Sequence, residues 1–448
     1  MTGGYMGKIL FVNLTTSEIT EDALDEEICR QFLGGYGLGA HIVFNRQLRG
    51  VDPLGPGNIL GFLTGPVTGT KVPFCGRFTV VAKSPLTDTW GDANSGGDFG
   101  PYLKFAGYDA VFFSGASEKP VYLFIDEGKA ELRDAQSIWG KDTHDTEDLL
   151  KGEHGKDLRV ACIGPAGEKM SLISAIITNK GRAAGRSGIG AVMGSKGLKA
   201  LAVRGKKKVP VVEKEKLDQL RKKYLPAMKE NPWFSFFHDI GTSAMIPGSV
   251  MNGRLPIKNW AGSILDMPDL EEISGENFIK RQEKRYGCWN CPMHCGGIMK
   301  QGLGAYKYAA GVHKPEYETI GAFGSMCLNS DLESIILAND ICNRQGLDTI
   351  STGCTIAFAI ECFENGIIRQ KDTDGIELTW GNHSAIIAMA EKIARREGFG
   401  DILADGVKLA AEKIGNGAEK FAIHIKGQEL PMHDPRAQIR LGLGATYK

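Results

Sequence analysis

Short apolar stretches alternate with polar, glycine-containing turns over the first 206 residues, which is the pattern that β-strands produce. Two pairs of these stretches, at residues 8–21 and 121–134, are separated by short turns and predict hairpins. One helix is predicted near residues 22–32. Further strands are predicted at residues 59–63, 78–82, 110–114, 160–163, 172–177 and 200–203. We therefore expect a β-rich N-terminal domain rather than a series of βαβ units.

The spacing of apolar residues becomes helical beyond a charged, proline-containing link at residues 206–212. Ser330-Asp-Leu-Glu333 has the form of a capping box that opens a helix, and Gly346 suits the C-terminal end of that helix. Helices are predicted at residues 213–229, 275–285, 330–346, 349–364, 384–397 and 401–414. The expected fold class is α+β. Its predicted domains are residues 1–210 (β-rich), 211–420 (helical) and 421–448 (the start of a third domain).

Charge and composition exclude some partners. The chain carries 53 Lys and Arg against 53 Asp and Glu, so its net charge does not favour nucleic acid or an anionic membrane surface. No apolar run is long enough for a membrane span, and the N-terminus lacks the charged start and apolar core of a signal peptide. The 10 cysteines are then typical of reduced thiols, some of them metal ligands. We expect a cytoplasmic protein.

Glycine is over-represented, with 59 of 448 residues against a usual share of about 7 %. Three glycine-rich loops, at residues 64–77, 94–97 and 181–190, combine bare backbone with strong hydrogen-bond donors. Backbone N–H groups and arginine both bind phosphate well, so the three loops together predict a large phosphate-bearing cofactor. The alternative is that each loop is an ordinary turn with solvated arginines. Neither a P-loop nor a Rossmann fingerprint is present.

Cys288, Cys291 and Cys295 form a C-x2-C-x3-C motif, which is the best candidate for a metal centre. Thiolates favour an iron–sulfur cluster or zinc. A zinc site would need a fourth ligand, and the local candidate, His294, adjoins Cys295 and is poorly placed for the same ion. A third interpretation is that the thiols are structural and buried. A four-iron cluster takes four ligands, so the motif is one ligand short.

Taken together and in order, several stretches identify a family. The chain resembles the tungsten-containing aldehyde:ferredoxin oxidoreductases over essentially its whole length. The matching stretches are residues 83–87, 94–100, 104–109, 163–168, 182–186, 190–196, 288–295, 315–318, 346–353 and 434–436. The resemblance implies a β-rich base domain that carries tungstopterin, a tungsten bis-pterin in which molybdenum is possible, with helical domains closing over it. Dithiolene sulfurs of the pterins hold the metal in this family, so no protein ligand to tungsten is expected.

The resemblance also assigns roles to individual residues. Cys288, Cys291 and Cys295 would bind a [4Fe–4S] cluster, and the pterins would be held by a larger set. That set is Arg77, Asn94, Gly96, Arg182, Ala183, Gly185, Arg186, Asn343, Leu347 and Asp348. Asn343 stands where the family motif has Asp, which removes a charge from that contact. Glu318 matches the family's general acid–base; the alternative is a surface glutamate, and nearby Glu316 is a competing candidate.

The implied reaction is oxidation of a small aldehyde to a carboxylic acid. Electrons would leave through the cluster to ferredoxin or an iron–sulfur electron-transfer subunit. Two alternatives are a reductive member of the family acting on aromatic CoA esters, and a non-catalytic fragment that needs a second chain. Leu337 and Ile387 replace the ligands of the family's dimer-bridging metal, so that bridge is not expected.

The family continues beyond the length of this chain, which leads us to expect a C-terminal truncation with the third domain mostly missing. The fourth cluster cysteine and a metal-proximal histidine would then be absent. The remaining cysteines of the helical region are expected to be ordinary buried residues. They are Cys327, Cys342, Cys354 and Cys362. His433, in Pro431-Met-His-Asp-Pro-Arg436, is expected to serve structure.

Overall fold

The computed structural model describes residues 3–437 and residue 440. The chain separates into two compact units. The first unit comprises Met1–Phe234, Gly287–Met293 and Asn343–Gly346, and the second comprises Ser235–Tyr286, His294–Cys342 and Leu347–Lys448. The predicted division at residues 210 and 420 stays a prediction. Within the described residues, no helix combines the length and the apolar character needed to cross a bilayer.

The first unit contains two six-stranded sheets. The first sheet has the order β2-β1-β6-β3-β4-β5 and consists of β1 (Lys8–Asn13), β2 (Glu18–Ala23), β3 (Leu60–Thr64), β4 (Phe78–Lys83), β5 (Trp90–Ser95) and β6 (Ala110–Ser114). The second has the order β11-β10-β9-β12-β7-β8 and consists of β7 (Val121–Asp126), β8 (Lys129–Asp134), β9 (Arg159–Ile163), β10 (Ile176–Thr178), β11 (Arg182–Ala184) and β12 (Leu198–Arg204). Each sheet has one parallel pair, β1 with β6 and β7 with β12.

Seven helices belong to the described part of this unit. They are α1 (Glu26–Phe32), α2 (Gly35–Arg46), α3 (Phe99–Phe105), α4 (Thr143–His154), α5 (Pro165–Glu168), α6 (Ile189–Ser195) and α7 (Lys214–Glu230). Both α3 and α6 contact strands of the two sheets, so they lie between the sheets and are buried on nearly all sides. The main apolar core, which includes Phe62, Phe78 and Phe99, surrounds them.

Both predicted hairpins are confirmed, and β7 and β8 have the predicted bounds. Their turn, Glu127-Gly128, has positive φ at both residues, 50° and 94°, which suits a two-residue hairpin. The helices α2, α3, α4 and α6 were not predicted. A helix that is buried on all sides shows no alternation of apolar and polar positions. The sequence pattern therefore did not predict α3 and α6.

The second unit is mainly helical. Its elements are α8 (Pro232–Asp239), α9 (Met245–Met251), α10 (Gly275–Lys280), β13 (Gln282–Tyr286), β14 (Gly296–Met299), α11 (Tyr317–Phe323), α12 (Leu332–Gln345), α13 (Thr349–Glu364), α14 (His383–Arg395), α15 (Phe399–Leu403), α16 (Gly406–Ile414), β15 (His424–Ile425) and β16 (Gln428–Glu429). Helix α13 packs against α11, α14 and α16 and is buried along most of its length. Helices α8 and α12 each cross the boundary between the units in sequence.

The helices α8, α9 and α11 were not predicted, and the helix predictions for this region are wrong in three further details. Residues 282–286 form a strand paired with β14 instead of extending α10. The predicted helix at 401–414 is divided into α15 and α16. At the start of α12, Asp331 accepts the N–H of Ser334 at 2.7 Å, while Glu333 contacts Arg281. Asp331 is therefore the capping residue, and the Ser330–Glu333 capping box is wrong.

Candidate active site and cluster loop

In the first unit, the cysteine loop lies directly against one glycine-rich loop. A Cβ atom placed on Gly96 would lie 2.7 Å from Cys288 Sγ and 3.5 Å from an Arg77 guanidinium nitrogen. Trp289 donates its backbone N–H to Gly97 O at 2.9 Å. Only glycine leaves room for this approach. The fold thus brings together three residues that were predicted separately: Arg77, Gly96 and Cys288.

Arg77 and Asn94 are held together across neighbouring strands. Asn94 pairs with Thr79 in the β4–β5 register, and its amide donates to Thr79 Oγ1 at 3.2 Å. Arg77 Nε donates to Asn94 Oδ1, and its Nη2 donates to Asn94 O at 3.0 Å. Because the strand pairing fixes Asn94, it also fixes the direction of the guanidinium.

The loop at residues 94–97 is connected to the third glycine-rich loop through Asp98 and Asn179. Asn179 Nδ2 donates to Asp98 Oδ1 at 2.7 Å, and Asp98 N donates back to Asn179 Oδ1 at 3.2 Å. Arg159 Nε completes the arrangement with a 2.5 Å bond to Asp98 Oδ2. A Cβ on Gly97 would lie 3.5 Å from Arg182 Cγ. Arg182 therefore belongs to the same neighbourhood as Arg77 and Cys288.

The residues after Arg182 continue along the same edge. Ala183 pairs with Ile177 in the β10–β11 register, and Gly185 and Arg186 follow β11 directly. Ser187 then fastens this segment to the first sheet, because Ser187 Oγ donates to Asp92 O at 3.1 Å. The predicted pterin-binding residues from positions 77 to 186 thus lie on β5, on β11 and in the loops beside the strands of one unit.

The segment Asn343–Gly346 joins the first unit at a different strand end. Asn343 O accepts a 2.8 Å bond from Thr143 Oγ1, and Gly346 O accepts one of 2.7 Å from Ala175 N. Gly346 has φ +74°, as predicted for the residue that ends this helix. The Asn343 side chain is buried, 6 % exposed.

Leu347 and Asp348 belong to the second unit. Leu347 is buried at 1 % exposure, and Asp348 is the N-cap of α13, accepting Ile350 N at 3.1 Å and Ser351 Oγ at 2.9 Å. Ser351 Oγ also lies 2.6 Å from a carboxylate oxygen of the buried Glu429. The structure therefore gives Asp348 a definite capping role, in addition to the role that the family resemblance implies.

The cysteines fall into two classes. All 10 are free of disulfides, and only Cys288, Cys291 and Cys295 are partly exposed. Burial raises the pKa of Cys362 to about 12 and also raises the pKa of Cys327 and Cys342. Those thiols stay protonated and are poor ligands. This confirms the prediction that they are ordinary buried residues; Cys354 is buried as well.

Cys288, Cys291 and Cys295 are the candidate ligands of the metal centre. Among residues 3–437 and 440, no three His, Cys, Asp or Glu side chains are grouped closely enough to hold one metal ion. A zinc site needs its ligands around a single ion. In a cubane cluster each thiolate binds a different iron atom, so the thiols stay further apart. The partly exposed Cys288, backed by Gly96, fits such a cluster.

Glu318, in the second unit, has both carboxylate oxygens engaged. Oε2 accepts the backbone N–H of Met432 at 2.7 Å, and Oε1 lies 3.1 Å from His433 Nε2. The two side chains are 30 % and 27 % exposed, so neither is an ordinary surface group. The arrangement can pass a proton between a carboxylate and an imidazole within reach of solvent.

Tyr317 holds the segment that carries His433. Its ring stacks on the His433 ring with centroids 5.2 Å apart, and its hydroxyl donates to Met432 O at 2.7 Å. Burial raises the pKa of Tyr317 to about 12, so the hydroxyl stays protonated as a donor. Glu316, the competing candidate, instead accepts a bond from Thr242 Oγ1, and Thr242 Oγ1 accepts from Tyr317 N at 2.9 Å.

Sequence reasoning assigned His433 to structure and missed its contact with Glu318. The two residues lie on separate elements, and no local spacing connects them. A usable signal was the sequence Pro431-Met-His-Asp-Pro, a turn-forming stretch that leads into the matched family region at residues 434–436. Asp434, one residue further, fixes this turn by pairing with Arg436 at 2.5 Å, while Asp434 N donates to Arg254 O at 2.7 Å.

Comparisons with known proteins show the family of the chain. The family description "Aldehyde ferredoxin oxidoreductase, N-terminal domain" matches residues 9–205, and "Aldehyde ferredoxin oxidoreductase, domains 2 & 3" matches residues 219–448. The second match extends over the helical region to residue 448, and the expected truncation of the third domain stays a prediction.

Several individual proteins are similar. The tungsten-containing aldehyde ferredoxin oxidoreductase of Pyrococcus furiosus is 41% identical over 98% of this chain and 72% of its own length. The aliphatic sulfonate oxidoreductase, WOR-like subunit, of the same organism is 35% identical over 99% of this chain and 73% of its own length.

A solved structure has the same fold. The active site complex BamBC of benzoyl coenzyme A reductase, in complex with 1,5-dienoyl-CoA, superposes with a TM-score of 0.85 and 33% identity, covering 97% of this chain and 67% of that one. The predicted α+β fold class is confirmed by this likeness. Both the sequence matches and the shared fold lead to one conclusion: the chain belongs to the aldehyde ferredoxin oxidoreductase family.

Proposed function

We propose that this oxidoreductase converts a small aldehyde and water to a carboxylic acid at a bis-pterin tungsten centre. The conversion releases two protons and two electrons. The electrons would leave through a [4Fe–4S] cluster to ferredoxin or to an iron–sulfur electron-transfer subunit. The tungsten-containing relatives, to which the chain is 41% identical, support the substrate class and the metal.

The observation that carries the proposal is the approach of Cys288 to Gly96 and Arg77 in the first unit. A thiol of the cluster motif and two residues of the pterin-binding loops share one neighbourhood there. Electron transfer between two redox groups needs them to be close, and this approach supplies a place where a cluster ligand and a pterin contact meet. Neither loop would need this proximity if it were an ordinary turn.

The protein residues bind and orient the cofactors. Arg77, Asn94 and Arg182 would hold pterin and phosphate oxygens through charge-assisted hydrogen bonds. Cys288, Cys291 and Cys295 would hold the cluster. When bound, the tungstopterin supplies the two-electron redox chemistry, which no side chain of the chain can perform.

Glu318 and His433 would move the protons. Met432 N donates to Glu318 Oε2, so Oε1, the oxygen that contacts His433, would take a proton from the hydroxyl of the aldehyde hydrate. His433 Nε2, 3.1 Å from that oxygen, can accept the proton and return Glu318 to its charged form. Because His433 is 27 % exposed, the proton can then leave to solvent. The chain thus provides a short route outward for each proton that the oxidation releases.

The test combines metal analysis with an assay. The purified chain should contain tungsten or molybdenum together with iron, and should reduce a viologen dye when an aliphatic or aromatic aldehyde is added. A folded protein that contains neither metal after expression with both supplied would refute the proposal.

A second candidate is reduction of aromatic CoA esters. It is favoured by the likeness to the benzoyl coenzyme A reductase complex, with a TM-score of 0.85. The two candidates separate in one experiment, in which the metal-loaded protein is assayed for aldehyde oxidation and for oxidation of a dienoyl-CoA with the same dye. Activity on the thioester without activity on aldehydes would favour the second candidate.

A further inference from the structure

The first unit carries a groove of about 840 Å³ beside the cysteine loop. Trp289, which follows Cys288 in the chain, lines it together with Tyr102 and Phe105. The other side chains of the groove are dominated by lysine. These lysines are Lys71, Lys206, Lys207, Lys208 and Lys214. No residue assigned to pterin or to the acid–base pair lines this groove within the described part of the chain.

The groove has an excess of positive charge, although the whole chain is neutral. All five lysines are exposed. The single acidic side chain among its described lining residues, Asp218, is engaged by Lys71 at 3.1 Å. Four ammonium groups are left without a carboxylate inside the groove. Such a concentration of one sign attracts and orients an oppositely charged partner.

The groove continues onto an exposed helix. No described residue of α7 is buried, although Leu217, Leu220, Tyr224 and Met228 follow one another at helical spacing. Leu217 lines the groove, and the next three are 44 %, 50 % and 38 % exposed. An apolar row of this kind, bordered by lysines, suits a protein surface better than a small anion.

Trp289 connects the groove to the cluster loop. Its indole packs edge-on against Phe105, with centroids 5.3 Å apart, and against Tyr102 at 6.4 Å. Its indole N–H is buried and has no hydrogen-bond partner among the described residues, and its backbone N–H is tied to Gly97 O. A partner that binds over this aromatic layer would contact Trp289, the residue that directly follows Cys288 in the chain.

We propose that the groove and the apolar row on α7 form the docking surface for an acidic iron–sulfur protein of the ferredoxin type. This inference rests on the proposed function, since it places the exit of electrons at Trp289. Each docked ferredoxin accepts one electron from the cluster. Two docking events are therefore needed for the two electrons of one aldehyde.

The test compares two triple variants of the metal-loaded protein. K206Q/K208Q/K214Q removes three groove charges, and Lys207 is kept because its ammonium packs against the backbone of Gly107 and Gly128. K119Q/K129Q/K156Q removes three exposed lysines that do not line the groove. Each protein is assayed for aldehyde oxidation with a purified acidic ferredoxin and, separately, with a viologen dye.

The groove variant should raise KM for ferredoxin by about three- to thirtyfold at low salt, given the usual strength of exposed ion pairs. The difference should shrink as ionic strength rises, and dye-coupled activity should stay at the wild-type level in both variants. Equal KM values for the two variants would overturn the docking surface. It would also be overturned if the groove variant lost only the binding of added coenzyme A and kept its KM for ferredoxin. Absence of dye-coupled activity in the wild type would count against the proposed function instead.

Discussion

Glu318 Oε1 and His433 Nε2 lie 3.1 Å apart, although one begins a helix and the other lies in a turn far along the chain. Tyr317 and Met432, their preceding neighbours in sequence, are joined by a 2.7 Å hydrogen bond. Two adjacent contacts of this kind hold the turn against α11. The acid–base candidate therefore comes with a fixed proton-transfer partner.

Replacing Glu318 by Gln should lower kcat for aldehyde oxidation by about 10²–10⁴-fold, because the amide cannot take a proton while its shape is kept. H433Q should cause a smaller loss of kcat and should alter the pH profile, since the proton route outward is changed rather than the acceptor itself. Both effects are measured with a viologen dye, so that the electron-transfer partner does not enter.

The matched control for this pair is E316Q. Glu316 is two residues away, and its bond from Thr242 survives in the amide. Near wild-type kcat is expected for E316Q. If E316Q lost as much activity as E318Q, Glu316 would have to replace Glu318 as the acid–base candidate.

Replacing Gly96 by Ala should weaken retention of the cluster. The added Cβ would lie 2.7 Å from Cys288 Sγ, closer than real contacts allow, so the thiol must move. We expect iron to be lost to a chelator about tenfold more readily, as for other changes next to metal ligands. G152A is the control, because a Cβ on Gly152 meets nothing within 4 Å; equal iron loss from the two variants would contradict the assignment.

Replacing Cys288 by Ala should remove most of the iron and the visible absorbance of the cluster. C354A should keep both, because Cys354 is buried at 2 % exposure in α13, and should only lower Tm through the cavity that it creates. Iron content and thermal unfolding are measured on the same samples. Full iron content in C288A would exclude this cysteine as a ligand.

Lys196 should make stability depend on pH in the alkaline range. Burial lowers its pKa from 10.5 to about 8; its ammonium donates to Gly115 O at 3.1 Å and faces Pro56 O at 3.4 Å. Between these two pKa values the unfolded chain binds more protons than the folded one, so stability rises with pH there. Below about pH 8 both states are protonated and the effect is constant.

The comparison is made with K196M by urea unfolding at about pH 7 and about pH 10. The free energy of unfolding of the wild type should rise relative to K196M by about 1–3 kcal/mol over this interval. An exposed-lysine variant, K156M, should run parallel to the wild type. If the free energy of unfolding of K196M also changed with pH in parallel with that of the wild type, Lys196 would keep its ordinary pKa in the fold.

The sequence predicted well those elements whose ends are marked by local turn and capping residues. The hairpin at 121–134 and the helix α13, Thr349–Glu364, have the predicted bounds, because turn residues and caps act locally. It failed for α3 and α6, which lie between two sheets, and for residues 282–286, whose strand exists only through its pairing with β14. In each failure the deciding partner is distant in the chain.

By itself the sequence determined the family, through several matching stretches in order. The three-cysteine motif, the glycine-rich loops and the candidate Glu318 could each be predicted from a short, continuous stretch. The confirmed family membership makes the chain an oxidoreductase. Only the tertiary structure decided that Cys288 lies against Gly96, that His433 faces Glu318, and that Lys71 and the lysines at residues 206–214 lie beside Trp289. The physical reason is that these contacts depend on strand pairing, helix packing and loop closure between distant segments, for which no local pattern of residues carries a signal.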